Sequence, residues 1–384
     1  SRGGPQFVTN EDGSQSLVNV TSSSHDYSRT LSGQLNQSLL DLGKWTSLKA
    51  ARATAKAGDA SYTAAEQDLL IRVATAYFDV LTAEDALKFA QANEQALNRQ
   101  MEQAQQRFEV GLSAITDVND AKAQHDTSVA NVITAQNTLD DNEEALRQLT
   151  NKEPGTLKGL REKLPMDKPE PADPDEWVSV AVAQNPTLHS YAQQLEAAKA
   201  NVQTARSGHL PTLNGQVLYS KTPSWSDNSA SSFNEAFHTN SERWSTTVGL
   251  TLNVPLFSGG FTQSRVRQTI FNRDNAQDQF ELQKRLVERS TRNSYRAVIA
   301  GASQVEATGQ AVVSAQSSLD ATQAGYEVGT RTIVDVLISQ QQLLQAQSSY
   351  SQARHAFILN GLRLKQAAGV IEGKDLEAVN ALLE

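Results

Sequence analysis

One short motif, written twice, constrains this chain more than any other feature. Arg107–Val118 reads RFEVGLSAITDV and Gly325–Leu337 reads GYEVGTRTIVDVL. The two align without a gap at an offset of 218 residues, and Glu, Val, Gly, Ile, Asp and Val recur in place. In each, a helical run must stop at a glycine, Gly111 or Gly329, because glycine takes left-handed dihedrals without a Cβ clash. A second helical run then opens with an acid in its first turn, Asp117 or Asp335, which suits the helix dipole. Each motif therefore predicts a sharp tip between two helices. Tyr77 falls on Tyr295 at the same offset, far up the incoming helix, so the repeat is a duplicated structural unit.

The runs that enter and leave the tips are long. Trp45 to Val110 keeps a helical pattern without a proline for roughly 65 residues, about 95 Å at the α-helical rise. Ile115 to Leu149 returns from the first tip. Phe261 to Val328 and Ile333 to Ala368 repeat the pair around the second. Helices of this length without a globular core of their own point to a coiled coil or a helical array. Between the repeats lies a segment broken by Pro154, Pro165, Pro169, Pro171, Pro174 and Pro186, with a short helix expected around Glu176 to Gln184. Thr187 to Ser207 is helical again. The expected organisation is a first repeat over 1–151, an inter-repeat segment over 152–184, a second repeat over 185–369 and a C-terminal segment over 370–384.

Three stretches alternate with period two: Leu31 to Leu39, Leu213 to Tyr219 and Val248 to Leu256. Each reads as a strand with one apolar and one polar face. Pro211 and Pro255 mark the places where strands meet helices, since proline is tolerated where a strand ends. Ser1 to Tyr27 and Ser220 to Glu242 are polar, lack periodicity and are expected to be surface loops. Subtracting 218 from the helix and strand that open the second repeat places them before residue 1. The repeat therefore predicts that one helix and one strand of the first unit lie outside this numbering. No charged start and apolar core mark a signal peptide in SRGGPQF.

Only 39% of the residues are hydrophobic and 6% aromatic, a composition that suits long helices with a narrow buried seam. A net charge of −9 argues against nucleic acid. Cysteine is absent, which excludes disulfides and thiolate metal sites. No apolar run approaches the roughly 20 residues of a membrane helix. His25, His125, His189, His209, His238 and His355 are scattered, with no HExxH pair, phosphate loop or nucleophile motif. Neither an enzyme nor a cofactor nor a metal site is expected.

Half-apolar strands pose a problem of closure. A free sheet edge invites aggregation in water and cannot persist in lipid. Closing a barrel takes at least about eight strands, and one chain supplies four at most, so several copies must share one. The competing reading is a soluble or surface structural coiled-coil protein without a pore; detergent-dependent trimers would separate the two.

AVVSAQSSLDATQAGYEVGTRTIVDVL (Ala311 to Leu337), RFEVGLSAITDV, ATAYFDVL (Ala74 to Leu81) and GHLPTL (Gly208 to Leu213) together resemble the TolC family of outer-membrane channel-tunnel (outer membrane efflux) proteins. The resemblance covers essentially the whole chain. It implies a mainly α fold with a small β part: long antiparallel coiled-coil helices forming an α-barrel in the periplasm, joined to the strands of an outer-membrane β-barrel shared by a homotrimer. It also implies that 152–184 and 370–384 are equatorial. The implied function is a passive exit duct of tripartite multidrug efflux and type I secretion systems. Its partners would be a periplasmic adaptor protein, an inner-membrane pump (a drug-efflux or ABC transporter) and outer-membrane lipid, but no nucleic acid.

At the tips, Asp335 is the candidate for a selectivity ring, one carboxylate per chain across a narrow mouth, as charged rings in pores act generally. The bland alternative is an acid that only favours the helix start, as Asp117 at the equivalent position does. The family places a second aspartate one turn further along, where this chain has Ile338, so the ring would carry three charges and select less strongly. The resemblance casts Tyr326 and Arg331 as gate latches tied to Thr116 and Asp117, within or between protomers. Val110, Gly111 and Leu112 in one tip, with Val328, Gly329 and Thr330 in the other, are the expected adaptor contacts. Leu35, Leu39, Leu252 and Leu256 are expected to face lipid.

Overall fold

The computed structural model describes residues 2–161, 164–166, 168–230 and 236–384. They divide into two compact units, one of residues 1–51 and 197–273, the other of residues 52–196 and 274–384. This division separates strands from helices and cuts across the sequence repeat.

The first unit is a five-stranded antiparallel sheet with helix ends attached. Its strands are β1 (Arg2–Thr9), β2 (Gln15–Ser28), β3 (Leu31–Leu40), β4 (Thr212–Ala230) and β5 (Ala236–Asn253). β4 is the middle strand. β5 pairs along one side of it, β2 and β3 share the other side, and β1 pairs with β2. The registers of β2 and β3 on β4 are continuous: Ser28 faces Ser224 and Leu31 faces Lys221. Between them the Arg29 amide donates to the Pro223 carbonyl at 3.0 Å. Pro223 has no N–H to return the bond, which explains why one long strand reads as two. A register shift between Ser38 and Leu40 closes it.

The expected loops at Ser1 to Tyr27 and Ser220 to Glu242 are therefore corrected. β1, β2 and the distal parts of β4 and β5, with the turn between β1 and β2, account for the described residues there. Polar residues dominate these distal segments, and the few apolar ones, such as Phe7, Leu17 and Trp225, do not recur every second position. The alternation that betrays a strand is therefore missing, and polar side-chain pairs support the ladder. Ser226 donates to Asp26 at 2.7 Å, His238 meets Asp227 at 2.6 Å, and Lys221 pairs with Glu242. The first repeat is also more complete than subtraction suggested. At the offset of 218, β1 falls on the distal half of β4, so a counterpart of that strand is present from Arg2 onward. Val248 to Leu256 is corrected at its end, because the strand stops at Asn253, before Pro255.

The proximal half of the sheet does alternate. Leu31, Leu35, Val217, Val248, Leu250 and Leu252 share one face, and all of them are exposed. Leu39 and Leu250 pack over Gly215, where an added Cβ would make ordinary contacts of 3.5 and 3.7 Å with their methyl groups.

The second unit is helical. Its elements belong to α1 (Leu42–Glu109), α2 (Ile115–Thr150), α3 (Pro174–Gln184), α4 (Pro186–Ser207), α5 (Phe261–Glu327), α6 (Ile333–Ala368) and α7 (Gly373–Asn380). The main core joins Phe78 and Leu81 of α1, Trp177 and Ala181 of α3, Val298 of α5 and Leu362 of α6. Gly369 ends α6 with φ +76°, and a Cβ there would lie 2.6 Å from the Asn185 Cα. Only glycine fits. The repeat-related tyrosines share one task. Tyr77 donates to the Lys158 carbonyl at 2.9 Å, Tyr295 donates to the Ala172 carbonyl, and so both pin the proline-rich segment to the long helices.

Candidate functional site

Both tips take the predicted form. α1 ends at Glu109 and α5 at Glu327, and the turning glycines have φ +78° at Gly111 and +79° at Gly329. The Leu112 amide donates to the Arg107 carbonyl at 2.7 Å, and the Thr330 amide donates to the Gly325 carbonyl at 2.8 Å. These bonds satisfy carbonyls that the helix end would leave unpaired. Val110, Leu112 and Val328 stand exposed on the turns, the positions expected to meet an adaptor.

The N-termini that follow differ. Thr332 caps α6 with a capping box: its hydroxyl accepts from the Asp335 amide at 3.3 Å, and Asp335 Oδ2 accepts from the Thr332 amide at 2.9 Å. Oδ2 also accepts from the Thr332 hydroxyl at 2.9 Å. These hydrogen bonds, with the nearby Arg331 charge, lower the Asp335 pKa below the usual carboxylate value. Asp335 thus serves as the helix-start acid, and its Oδ2 is committed to the cap. At the first tip the N-cap is Ala114, which makes no side-chain cap. Asp117 lacks the reciprocal threonine.

Tyr326 is the most constrained side chain of the site. It is 6% exposed in a cluster with Leu97, Leu319, Ile333 and Leu337. The Arg107 guanidinium of the other tip lies 4.9 Å from its ring centroid, a cation–π contact. The phenol oxygen of Tyr326 and Nε of Arg107 are both buried, and neither has a hydrogen-bond partner among the described residues. Burial pushes the Tyr326 phenol up in pKa. Arg331 is exposed and folds its stem over Gly325, where a Cβ would lie 2.8 Å from Arg331 Cγ. Within one chain no described hydrogen bond joins Tyr326 or Arg331 to Thr116 or Asp117. Arg107 on Tyr326 is a contact between the tips that sequence reasoning missed. Its one signal was that Arg107 aligns with Gly325, so the repeat breaks at that position.

Pro211 precedes Thr212 at the start of β4, and Pro255 follows just beyond Asn253 at the end of β5. After Pro255 the chain exposes Leu256 and Phe257, then turns through Gly259 and Gly260, with φ +59° and +84°, into α5. Ile338 is half exposed on α6. Among the described residues no group of His, Asp or Glu could hold a metal ion, and no helix is long and apolar enough to cross a membrane.

Long helices with reversing tips, in one chain with strands whose apolar face is open, define the class of channel-tunnel proteins. The chain belongs to the outer membrane efflux protein family, whose pattern matches residues 4–152 and 177–370. It is 39% identical over 353 residues to the outer membrane protein TolC of Escherichia coli K12, spanning 91% of this chain and 71% of that one. It is 30% identical to the alkaline protease secretion protein AprF of Pseudomonas aeruginosa, over 92% of this chain and 72% of that one. Among solved structures, the Vibrio cholerae outer membrane protein VceC shares the fold, with a TM-score of 0.73 over 91% of this chain and 86% of that one at 18% identity. The Campylobacter jejuni CmeC outer membrane channel gives 0.72 over 99% and 79% at 16% identity.

The chain is therefore an outer-membrane exit duct for efflux and type I secretion, with its helical part in the periplasm. Family and relatives are channels, not enzymes. The pore-free coiled-coil alternative falls.

Proposed function

We propose that three copies form the duct and that the two helix tips of each copy close and open its periplasmic mouth. Each chain brings the joined β2 and β3, β4 and β5 to a shared barrel, while β1 pairs only beside the distal part of β2. The apolar rows from Leu213 and Leu252 up to Lys221 and Trp244 are about as long as one membrane crossing requires. Leu35, Leu39 and Leu252 face lipid there, and Leu256 sits at the periplasmic margin. β4 has 19 residues, roughly twice a crossing, so its polar half stands clear of the bilayer. At the tips Asp335 of each chain forms a ring of three carboxylates that favours cations. Val110–Leu112 and Val328–Thr330 meet the adaptor, with the pump beyond it.

One observation carries the gate: the buried phenol of Tyr326, left without a partner beside the Arg107 guanidinium. A buried hydroxyl without a bond costs about 1–3 kcal/mol, and a shift of the tips that brings Thr116 or Asp117 of the same chain within reach would satisfy it. Arg331, exposed on the same turn, adds an ionic tie to Asp117 of a neighbouring protomer. Single-channel recording in a planar bilayer tests this. Tyr326→Phe with Arg331→Ser is expected to raise conductance and leave cation preference intact, whereas Asp335→Asn is expected to lower cation preference and change conductance less. A double variant that conducts as the parent would return Tyr326 and Arg331 to turn packing.

A further inference from the structure

The second unit contains a cavity of about 610 Å³ framed by α1, the start of α4, α5 and the end of α6. Two arginines, Arg289 of α5 and Arg363 of α6, line it, and no aspartate or glutamate does. That is a local reversal in a chain of net charge −9. Neither arginine forms an ion pair among the described residues, although Asp79 lies near enough to feel the Arg363 charge. Gln283, Ser290 and Gln366 add hydrogen-bonding groups, while Leu286 supplies an apolar patch. Gln67 is already engaged, since its amide donates to the Gly369 carbonyl at 2.9 Å.

The geometry of α5 fixes which way the cavity opens. At about 100° per residue, Gln283, Leu286, Ser290 and Ser294 fall on one face of the helix. Arg292 and Tyr295 fall on the other, where Arg292 Nη2 meets Asp175 of α3 at 3.0 Å and Tyr295 donates to Ala172. The cavity thus opens mainly on the face turned away from α3, and Arg289, about 60° around the helix from Arg292, reaches it from the rim.

We propose that this cavity binds an organic anion with two acidic groups on a flat apolar body. Guanidinium is planar, stays charged and offers paired donors that match carboxylate, sulfonate or phosphate oxygens. Two such groups over an apolar floor, free of competing acids in the lining, select a dianion over a neutral molecule of the same shape. The reading that the helices wall a duct makes this face the lumen, so cargo or a modulating metabolite would meet the site in transit. Only that placement rests on the duct reading. Binding itself does not.

The test is calorimetric titration of naphthalene-1,5-disulfonate into the full chain in lipid nanodiscs, with 1,5-dihydroxynaphthalene as the uncharged control. Saturable binding of the disulfonate is expected, with little binding of the diol. Arg363→Gln or Arg289→Gln should weaken it at least about tenfold, since each removes a charge-assisted contact. Arg363→Lys should retain part of the affinity. Gln283→Glu, which places an acid in the cavity and spares both arginines, should also weaken it, and this variant decides the matter if an arginine variant fails to assemble. The proposal would be overturned by no saturable binding, by equal binding of the diol, or by arginine and Gln283→Glu variants that bind as the parent does. Conductance measured in parallel keeps failure of the site distinct from failure of the duct.

Discussion

The two tips carry nearly the same residues and do different work. Val-Gly turns the chain at both, Ile and Asp follow in both, and the glycine dihedrals differ by a degree. Yet Ile333 is 2% exposed and Ile115 is 51% exposed. Asp335 closes a capping box on Thr332, while Asp117 follows an uncapped Ala114. The second tip is built into a hydrophobic cluster around Tyr326, whereas the first has only the small group of Ala104, Val118 and Ala121. Duplication supplied one turn design. Divergence at a few positions made one tip an anchored element and left the other a loosely held one.

The largest effect that would expose this difference is truncation of the shared isoleucine. Ile333→Ala should cost about 2–5 kcal/mol as a buried large-to-small change, whereas Ile115→Ala should stay within about 0.5 kcal/mol as a surface change. Hydrogen exchange of the first turns of α6 and α2 reads both. Equal losses of protection would mean that the asymmetry does not exist in the assembled protein.

Next in size is a change that should treat the tips alike. Gly111→Ala and Gly329→Ala each place a Cβ in open space but on a left-handed backbone, at a cost of about 1–2 kcal/mol. Similar destabilisation at both tips would show that the turn itself is common to them. A larger loss at Gly329 alone would place the difference in the turn and not in the packing.

Much of this was legible in the sequence, for physical reasons. The long helices, both tips and the proximal strands announce themselves through glycine, acid placement and period. The Ile333 to Ala368 helix was read to the residue, because Asp335 and Gly369 mark its ends chemically. The distal strands were not legible, since Ser24, Ser226 and Thr239 lie in runs where apolar residues are too sparse to recur every second position, which erases the period. The contrast between Ile115 and Ile333 was also invisible, because identical residues in repeated motifs give no sign of which one is covered. The role of Arg107 emerges only once tip two is folded against tip one.

A smaller effect comes from the cap. Thr332→Ala should cost about 1 kcal/mol and free the Asp335 carboxylate from the Thr332 hydroxyl, raising its pKa toward the ordinary value. The reciprocal Ala114→Thr supplies the missing cap and should strengthen the start of α2 by a comparable amount. Exchange rates of the Asp335 and Asp117 amides report the two changes. If Ala114→Thr does nothing, the first tip is held by contacts outside the chain.

The smallest effect is the pH dependence of the second cap, because protonation removes only the ionised half of the box. Hydrogen bonds from Thr332 and the nearby Arg331 depress the Asp335 pKa in the folded tip. The unfolded value is about 3.9, so between the two values the unfolded state binds more protons and stability rises with pH. The contribution is therefore complete above about pH 4 and is lost as pH falls through the lower, folded value. Protection at the start of α6, corrected for intrinsic exchange, should stay level from about pH 7 down to about 4 and then decline. Asp335→Asn should flatten that decline. Asp117→Asn should leave the start of α6 unchanged, since Asp117 takes no part in the box. If the decline instead began near about pH 6, the three Asp335 carboxylates of a closed mouth would be raising one another's pKa against the cap. Charge crowding in the ring would then outweigh the hydrogen bonds of the single chain.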